Sequence, residues 1–413
     1  GQIIDQAHCS FSPSSASDPA TWKQALWALI EEIAPSVRTQ IKRIAINGTS
    51  ATVVLCDRHA KPLTSALMYD NAIARDQLPA LRDIVPADSP ACGPILSATS
   101  SLAKALWWHR NLAATDPDKL ASASYIAHQA DWLASLLHGQ PAISDYHNAL
   151  KLGYDVRAMA YPDWLLALPV AQWLPEVREP GEAIAPILTA LSDRFGFPSD
   201  CQICAGTTDS IAAFLASNAH SPGEAVTSLG STLVLKLLSP TPIDHSAFGI
   251  YSHRLGDLWL VGGASNTGGA ILQRFFSPAQ LTELSQEIAQ QIDISSPPEL
   301  DYYPLNAPGE RFPINDPDYP PRLTPRPAKD RDFLWGLLDA IARIEADGYQ
   351  KLNDLGAPRL QRVYTAGGGA RNLTWQALRQ RRLNVSVSAA FQTDAAYGTA
   401  QLAIEGLSRF KGV

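Results

Sequence analysis

Apolar residues recur along the chain at two spacings, one typical of helices and the other of strands. Over residues 20–34 they return every three or four positions behind Ser17 or Asp18, and this pattern predicts a capped amphipathic helix. The same spacing predicts further helices, over residues 101–108, 131–139, 184–195 and 333–352. Short apolar runs predict strands, over residues 2–11, 41–48, 51–57 and 361–366.

Prolines are concentrated in one segment of the second half. Ten of the 31 prolines fall within residues 297–327. Proline fixes φ and has no backbone N–H to donate, so helix interiors and central strands exclude it. The segment is therefore predicted to be a long ordered loop.

The stretch Cys204-Ala-Gly-Thr-Thr-Asp209 ends an apolar run and precedes residues at helical spacing. Asp209 is therefore predicted to lie exposed where a strand passes into a helix. A carboxylate there suits a general base that takes a proton from a hydroxyl. It equally suits a helix cap, because Asp accepts hydrogen bonds from the unpaired N–H groups of a first turn. The local pattern leaves both interpretations open.

Two apolar runs flank Gly230-Ser231 and predict a hairpin with a two-residue loop. Glycine at the first loop position fits a type II′ turn. Such a turn can aim backbone N–H groups, together with the hydroxyls of Ser231 and Thr232, at an anion such as phosphate. A hairpin that binds nothing has the same pattern.

Two further glycine-rich turns open helices, at Gly268-Gly269 and at Gly367-Gly368-Gly369. Three glycines allow the backbone to approach a flat or phosphorylated ligand closely. Trp375, in the helix that follows, is suited to stacking on a base. The triple-glycine turn matches neither a P-loop nor the dinucleotide-binding Gly-x-Gly-x-x-Gly pattern.

Polar groups follow two apolar runs of the first half, at Ser50 and at Tyr69-Asp70-Asn71. They are suited to hydrogen bonds with sugar hydroxyls. Ordinary turns with Ser, Asp or Asn give the same pattern, so both interpretations stay open.

The composition is that of a globular protein of 413 residues with a net charge of −7. This length suggests two or three domains, and the scattered basic residues argue against a nucleic-acid partner. No apolar run reaches the length of a membrane span and no signal peptide is recognisable at the N-terminus, so we expect a cytoplasmic protein without a membrane partner.

The cysteines and histidines do not form a recognisable metal site. Cys201 and Cys204 have no second cysteine pair or paired histidines, and we expect buried thiols in a strand rather than a metal or redox site. His138 and His147 lack partners at metal spacing and are expected to be structural or solvated.

Taken in order, these stretches resemble the FGGY carbohydrate kinases, which are sugar kinases of the actin and hexokinase superfamily, with ribulokinase-like and xylulokinase-like members nearest. The matching pieces extend over almost the whole chain: Asn47-Gly-Thr-Ser50, Lys104-Ala-Leu-Trp-Trp, the helix from Asp131 to Gly139, Ala205-Gly-Thr-Thr-Asp209, Leu229-Gly-Ser-Thr232, the Gly268-Gly269 helix start, Pro308-Gly-Glu-Arg-Phe-Pro313, Thr365-Ala-Gly-Gly-Gly-Ala-Arg-Asn372 and Ala396-Tyr-Gly-Thr-Ala400.

The resemblance implies an α/β fold with two ribonuclease-H-like domains, each with a mixed five-stranded sheet, and an active site in a cleft between them. Residues 1–220 would form the sugar-binding domain and residues 221–413 the nucleotide-binding domain, with the junction in the polar segment 218–223. The cofactors implied are ATP and Mg²⁺.

The resemblance also implies roles for individual residues. Asp209 would be the catalytic base and would hold Mg²⁺ through water, while Ser50, Asp70 and Thr208 would join it in binding the sugar. The nucleotide would be bound by the second phosphate hairpin and the glycine-rich turns, with the residues Gly230, Ser231, Thr232, Gly268, Gly368, Gly369, Asn372 and Trp375.

The chain departs from the family pattern in two places. The usual aromatic, Asp and Arg cluster is present only as Tyr69-Asp70-Asn71, with Arg75 displaced. The family's opening strand and its Asp-x-Gly-Thr-Ser turn, which holds Mg²⁺ and the ATP phosphates, have no counterpart, and Gly1–Phe11 matches the strand that follows them. We therefore expect a chain that begins after this element and positions metal and phosphate less well.

The leading hypothesis is an ATP-dependent kinase for a terminal hydroxyl of a ketopentose, with D-ribulose the first choice and D-xylulose the second. Two alternatives stay open: a truncated form that binds sugar or nucleotide with little turnover, and an ATPase that uses water in place of sugar. Small molecules are the expected partners, and the sequence leaves the oligomeric state open.

Overall fold

The computed structural model of the chain describes residues 1–86, 89 and 92–412. It divides into two compact units, one of Gly1–Ala216 with Asp394–Arg409, and the other of Ser217–Thr393 with the chain from Phe410 onwards. Both units combine helices with strands, which confirms the α/β class. The domain boundary after residue 220 stays a prediction, and the first unit of the structure also includes residues 394–409.

The first unit contains twelve helices, none longer than 15 residues, and nine short strands among its described residues. In chain order these are α1 Pro19–Glu32, α2 Pro35–Arg38, β1 Arg43–Ile44, β2 Asn47–Gly48, β3 Val53–Cys56, α3 Leu78–Ile84, α4 Cys92–Ile95, α5 Ser101–Thr115, α6 Pro117–Ser122, β4 Tyr125–His128, α7 Gln129–His138, β5 Ile143–Asp145, α8 Tyr146–Ala149, α9 Asp163–Leu166, β6 Glu176–Arg178, β7 Ala183–Pro186, α10 Thr189–Phe195, β8 Gln202–Cys204, β9 Thr207–Thr208, α11 Asp209–Ala216 and, near the C-terminus, α16 Ala395–Glu405.

The second unit contains the remaining elements in the described part of the chain: β10 Glu224–Leu229, β11 Leu233–Ser239, β12 Tyr251–Leu255, β13 Leu258–Ser265, α12 Gly269–Phe275, α13 Pro278–Gln291, α14 Asp330–Asp354, β14 Arg362–Ala366, α15 Leu373–Leu383 and β15 Ser386–Ala389. Both units also contain short 3₁₀ segments, at Pro13–Ser15, Ile73–Gln77, Leu150–Leu152, Ala171–Trp173, Ser246–Phe248, Gly368–Arg371 and Ser408–Phe410. Among the described residues, no helix is long and apolar enough to cross a membrane.

Most of the predicted helices are confirmed. The side chain of Asp18 accepts a hydrogen bond from the N–H of Ala20 and caps α1, and α7 ends at Gly139, whose φ is 74°. The helix expected over residues 184–195 is wrong in its first part, which forms β7. Pro186 disfavours a helical conformation at the residue before it, so the helix starts only at α10.

The strand predicted over residues 41–48 is interrupted. Ile44 pairs with Ile203 and Asn47 pairs with Thr207. Two residues lie between Ile44 and Asn47, but three lie between Ile203 and Thr207, so the second segment has one extra residue. An extra residue of this kind is a bulge, which breaks the ladder and bends the strand. β1 and β2 are therefore separate short strands, and the bulge lies just before Asp209.

Residues 2–11 form no strand, contrary to the sequence-based expectation. This segment has no regular secondary structure and is almost entirely exposed. A strand is stabilised by pairing and by side-chain contacts on a sheet, and the described residues provide no β partner for it. An apolar run alone is therefore a weak signal for a strand.

The sheet of the second unit has six strands rather than the expected five, in the order β12-β13-β11-β10-β14-β15. β10 and β11 are antiparallel, while β14 is parallel both to β10 and to β15. In the first unit the described strands form smaller groups, namely β1-β8-β7, β2-β9, β3-β4 and β5-β6. The second unit therefore has one sheet of parallel and antiparallel strands, and the described strands of the first unit form groups of two or three.

The hairpin loop between β10 and β11 differs from the prediction. Leu229 pairs with Leu233, so the loop has three residues, Gly230, Ser231 and Thr232. A type II′ turn needs φ above zero at its first central residue, and Gly230 is not among the residues with positive φ. The predicted two-residue loop is therefore wrong, although the hairpin itself is confirmed.

The long helix and the proline-rich loop are both confirmed. α14 buries the predicted apolar stripe, Leu334, Leu337, Leu338, Ile341 and Ile344, together with further residues such as Phe333, Ala340 and Ala342. Residues 297–327 contain no helix or extended strand, as their prolines require. The buried Phe312 of this loop lies against Gly348 of α14, so the loop is packed onto the core.

In the first unit, α16 approaches α11 closely at Gly398. A Cβ atom added at Gly398 would lie 1.9 Å from the carbonyl oxygen of Ala212. We expect Gly398→Ala to lower the free energy of unfolding by about 1–3 kcal/mol, the usual cost of overpacking, although alanine favours a helix by about 1 kcal/mol over glycine. Urea unfolding measures this loss.

Ala400 lies exposed on the same helix and provides the control. Ala400→Leu adds more atoms than Gly398→Ala and should leave the unfolding midpoint nearly unchanged. Equal effects of the two substitutions would contradict the close approach of the two helices.

Candidate active site

Asp209 lies at the first residue of α11, directly after β9. Its side chain is half-buried, and Oδ1 accepts a hydrogen bond from the N–H of Ser210 at 2.7 Å. Among the described residues, no hydrogen bond to the second carboxylate oxygen is found. Asp209 therefore contacts its own first turn through one oxygen and leaves the other available for a ligand.

The two residues before Asp209 are held in a buried environment. The hydroxyl of Thr207 lies 2.8 Å from Nδ1 of His147, and both residues are buried. Thr208 is also buried, and within the described chain its hydroxyl has no hydrogen-bond partner. An unpaired buried hydroxyl costs about 1–3 kcal/mol, so a bound water or ligand next to Asp209 would be stabilising.

The other predicted sugar contacts lie in the same unit. Ser50 is half-buried and Asp70 is exposed. Ser50 lies in the turn after β2, and the parallel pairing of β2 with β9 sets Gly48 beside Thr208. The β2 turn and Asp209 therefore follow neighbouring parallel strands, whose carboxyl ends meet at one edge of a sheet.

In the second unit, the tip of the β10–β11 hairpin is fixed by the start of α12. The N–H of Gly269 donates to the carbonyl oxygen of Gly230 at 2.8 Å, and the N–H of Ala270 donates to that of Ser231 at 3.2 Å. A Cβ at Gly269 would lie 2.6 Å from the Gly230 oxygen. Glycine is therefore required here because two backbones come together.

The triple-glycine turn follows β14 beside this hairpin. A Cβ at Gly369 would lie 2.6 Å from Cβ of Leu229 and 2.9 Å from Cζ3 of Trp375, whereas one at Gly368 would meet nothing within 4 Å. Gly369 is thus enclosed by packing, and Gly368 faces open space.

Asn372 and Trp375 are both engaged within the protein. Oδ1 of Asn372 caps α15 by accepting from the N–H of Trp375 at 3.0 Å, and its Nδ2 donates to Oγ of Ser285 at 2.8 Å. The indole N–H of Trp375 donates to the carbonyl oxygen of Leu338 at 3.1 Å, and the ring is only 3% exposed. Their roles in binding a nucleotide stay predictions.

These turns line a cavity of about 610 Å³ within the second unit. Apolar side chains from α12 and α13 form much of its wall, and hydroxyl, amide and guanidinium groups complete it. The lining residues are Leu229, Gly230, Ser231, Gly269, Leu272, Gln273, Pro278, Leu281, Thr282, Ser285, Gln286, Gly368, Gly369, Arg371, Asn372, Leu373, Thr374 and Trp375. Thr232 and Gly268 are the two predicted nucleotide residues outside this lining.

A buried ion pair lies beside the cavity. Nε and Nη2 of Arg379 in α15 donate to the two carboxylate oxygens of Glu345 in α14, at 2.6 and 2.7 Å. Nη1 of Arg379 donates to the hydroxyl of Thr365 in β14, and the hydroxyl of Thr227 in β10 donates to Glu345. Burial by itself would lower the pKa of Arg379, but the charge of Glu345 and the hydrogen bonds to it raise this pKa.

The sequence pattern missed the role of Glu310 in the proline-rich loop. This buried carboxylate accepts hydrogen bonds from Oγ of Ser265 at 2.5 Å, from the N–H of Asn266 at 2.7 Å and from the hydroxyl of Tyr303 at 2.9 Å. It therefore ties the loop to the end of β13, three residues before Gly268. The segment contains five carboxylates, so no local signal singles out Glu310.

The cavity residues of α13 were also missed by the sequence pattern. Leu281 and Ser285 belong to an ordinary amphipathic helix, and nothing in their spacing distinguishes a cavity wall from a surface. Their place at the site follows from the packing of α13 on α14 and α15.

The two cysteines are buried, as the sequence predicts. Cys201 and Cys204 are free and buried, and burial raises the pKa of Cys201 to about 11, which leaves an unreactive thiol. Burial lowers the pKa of His138 to about 4. In the described part of the chain, no three His, Cys, Asp or Glu side chains are grouped to hold a metal ion.

Comparison with known families and structures gives consistent results. The sequence model of the FGGY family of carbohydrate kinases, N-terminal domain, matches residues 6–216, and that of the C-terminal domain matches residues 225–405. Together the two models cover most of the chain.

Solved structures of sugar kinases share the fold. A xylulose kinase from Rhodospirillum rubrum superimposes with a TM-score of 0.81 at 21% identity, over 97% of this chain and 83% of that one. A gluconate kinase from Lactobacillus acidophilus gives 0.78 at 17% identity, over 98% and 83%. A Plasmodium falciparum glycerol kinase with ADP gives 0.77 at 16% identity, over 97% and 84%. At these identities the similarity shows the fold alone.

The buried ion pair beside the cavity leads to a stability prediction. Arg379→Met leaves the charge of Glu345 buried without a partner, which typically costs about 3–5 kcal/mol. We expect that loss in the free energy of unfolding measured with guanidinium chloride. The double variant Glu345→Leu with Arg379→Met should lose less than the single variant, because no isolated charge remains.

Arg382, three residues after Arg379 in α15 and half-buried, is the matched control. It pairs with Asp339, which also keeps Arg381 as a partner, so Arg382→Met leaves no buried charge unpaired and should cost less than Arg379→Met. An Arg379→Met variant as stable as Arg382→Met would show that the buried pair does not anchor α15.

Proposed function

The chain belongs to the FGGY family of carbohydrate kinases, and we propose that it transfers the γ-phosphate of ATP to a terminal hydroxyl of a ketopentose. Its enzyme class is that of a phosphotransferase with an alcohol group as acceptor. D-ribulose is the first choice of acceptor and D-xylulose the second, because the sequence motifs resemble the ribulokinase-like and xylulokinase-like members most.

The observation that carries this proposal is the environment of Asp209. A half-exposed carboxylate with one oxygen available, at the start of a helix that follows a strand, is suited to accept a proton from a hydroxyl. The single hydrogen bond to Ser210 fixes its orientation. Among the described residues, no bond from Asp209 reaches an N–H two or three residues further on, as a helix cap would.

In the proposed reaction Asp209 takes the proton of the terminal sugar hydroxyl as its oxygen attacks the γ-phosphorus. A new bond forms between that oxygen and phosphorus, the bond from phosphorus to the β,γ-bridging oxygen breaks, and ADP leaves with the bonding electrons. The proton on Asp209 then passes to water. Ser50, Asp70 and Thr208 would hold the sugar hydroxyls so that the attacking oxygen is placed correctly.

The cavity of the second unit supports the nucleotide part of the proposal. Its volume of about 610 Å³ lies in the range usual for small-molecule sites. Backbone groups of Gly230 and Ser231 would approach the phosphates, with Thr232 and Gly268 shaping that turn. Gly368, Gly369, Asn372 and Trp375 would form the adenosine side.

The residues present also fit an Mg²⁺ ion that arrives with the nucleotide. Mg²⁺ in such sites is held by one or two carboxylates together with substrate phosphates and water, so a group of three protein ligands is not required. The available oxygen of Asp209 would hold it, through water. When bound, the ion neutralises charge on the phosphates.

The decisive experiment measures ADP release with a panel of sugars. We expect release above the no-sugar rate with D-ribulose and then with D-xylulose, and none with aldoses of the same length. Release that is equal with and without sugar would support an ATPase that uses water. Binding of sugar and nucleotide without release would support the non-catalytic alternative.

Asp209→Asn should lower kcat for the preferred sugar by at least about 10²-fold, because a general base contributes about 10²–10⁴-fold. Binding of ADP, measured by calorimetry, should stay unchanged, since Asp209 lies outside the cavity of the second unit. The control is Asp193→Asn, an exposed carboxylate of the same unit. Full activity of Asp209→Asn would exclude it as the base.

Two glycines of the same turn test the nucleotide site. Gly368→Val places its side chain in open space beside the cavity and should raise the Kd for ADP about tenfold or more without lowering the melting temperature. Gly369→Ala meets Leu229 and Trp375 and should lower both affinity and melting temperature. Unchanged ADP binding by Gly368→Val would place the nucleotide elsewhere.

A further inference from the structure

Lys104 in α5 is fully buried, with no exposed surface. Its Nζ donates to the carbonyl oxygen of Ala51 at 2.8 Å and to that of Met68 at 2.7 Å. Salt bridges found among the described residues do not include it. A buried lysine normally has a carboxylate partner, so the position of this one needs another explanation.

The two carbonyl groups belong to the two segments that carry predicted sugar contacts. Ala51 follows Ser50 directly, and Met68 comes two residues before Asp70. Ala51 has φ of 66°, in the left-handed region that costs a residue other than glycine about 1–2 kcal/mol. Such a conformation persists only where surrounding contacts enforce it, and the hydrogen bond from Lys104 is one of those contacts.

A second set of hydrogen bonds joins the same segments. The hydroxyl of Thr52 accepts from the N–H of Tyr69 at 2.9 Å and lies 2.6 Å from the hydroxyl of Thr49. Oε1 of Gln129 in turn accepts from the N–H of Thr49 at 3.0 Å. The turn around Ser50 and the segment around Asp70 are therefore fixed to each other on both sides.

The charge state of Lys104 fits a role through hydrogen bonds rather than through charge. Burial and, after it, the nearby charge of Lys151 lower the pKa of Lys104 to about 7, although the charge of Asp70 acts to raise it. A neutral amine still has two N–H groups to donate, so both carbonyl bonds persist on either side of this pKa. An apolar side chain of the same length would leave the Ala51 carbonyl without a partner among the described residues, whereas the Met68 carbonyl would keep the N–H of Asn71 at 2.9 Å.

We propose that Lys104 is a positioning residue for the acceptor sugar. It sets the spacing between the Ser50–Ala51 turn and the Met68–Asp70 segment, and thereby the distance between their groups that would bind an uncharged, polyhydroxylated substrate. This inference rests on the proposed function, since it assumes that these segments bind the sugar. Lys104 itself does not touch the substrate.

The test separates sugar binding from nucleotide binding. Lys104→Met removes both hydrogen bonds while keeping the length of the side chain. We expect KM for the preferred ketopentose to rise about tenfold or more, while KM for ATP changes less than about twofold. The melting-temperature shift that the sugar alone produces, measured without nucleotide, should shrink in parallel.

Ser192→Ala is the control for a structural effect. Ser192 is a buried side chain of the same unit that donates to the carbonyl oxygen of Phe197 at 2.7 Å, away from both segments. It should lower stability without changing KM for the sugar. If Lys104→Met changes KM for the sugar no more than Ser192→Ala does, the inference is overturned.

A second variant decides the matter if Lys104→Met does not fold. Thr52→Val keeps the shape of the side chain and removes the bond from Tyr69, so it should also raise KM for the sugar, and an unchanged KM overturns the inference. If the wild-type chain phosphorylates the sugar and both variants keep its KM, the inference about Lys104 is refuted but the proposed function is not. A wild-type chain that neither binds nor phosphorylates any sugar would refute the proposed function and this inference together.

Discussion

The ion pair between Arg379 and Glu345 is the interaction on which the second unit depends most. Two charges have been taken out of water at a cost of several kcal/mol per ion. This cost is offset because each nitrogen of the Arg379 guanidinium and each carboxylate oxygen of Glu345 has a partner. The pair connects α15 with α14, and through Thr365 and Thr227 it reaches β14 and β10. It thereby fixes the positions of these four elements relative to one another.

The candidate nucleotide site depends on this arrangement of β10 and β14. β10 and β14 are parallel neighbours, with Ser228 beside Ala366, so their carboxyl ends reach the same edge of the sheet. The Gly230 turn leaves one strand there and the Gly367–Gly369 turn leaves the other. Glycine-rich turns at the carboxyl ends of neighbouring parallel strands are a common arrangement of phosphate and nucleotide sites, and here the buried pair keeps the two strands aligned.

The sequence predicted most of what depends on local periodicity and little of what depends on pairing between distant segments. The stripe of α14 and the caps of α1 and α7 follow from residues close together in sequence, and the structure confirms them. The loop length of the β10–β11 hairpin, the bulge before Asp209 and the absence of a strand over residues 2–11 depend on partners that no local pattern specifies. The same holds for the candidate site: glycine-rich turns were recognisable, whereas Ser285, Glu310 and Lys104 take part through contacts made only on folding.

The discontinuous first unit has a consequence for the order in which the protein matures during synthesis. Helix α16 comes from residues 395–405, yet its Gly398 packs against Ala212 in α11, and Asn47 donates to the hydroxyl of Thr399 at 2.8 Å. A ribosome must therefore translate Ser217–Thr393, nearly all of the second unit, before the first unit can acquire its last helix. Domains generally fold from the N-terminus as they emerge from the ribosome. Here the unit that is synthesised first is completed last, and until α16 is made, the surface of α11 that packs against it lacks this partner.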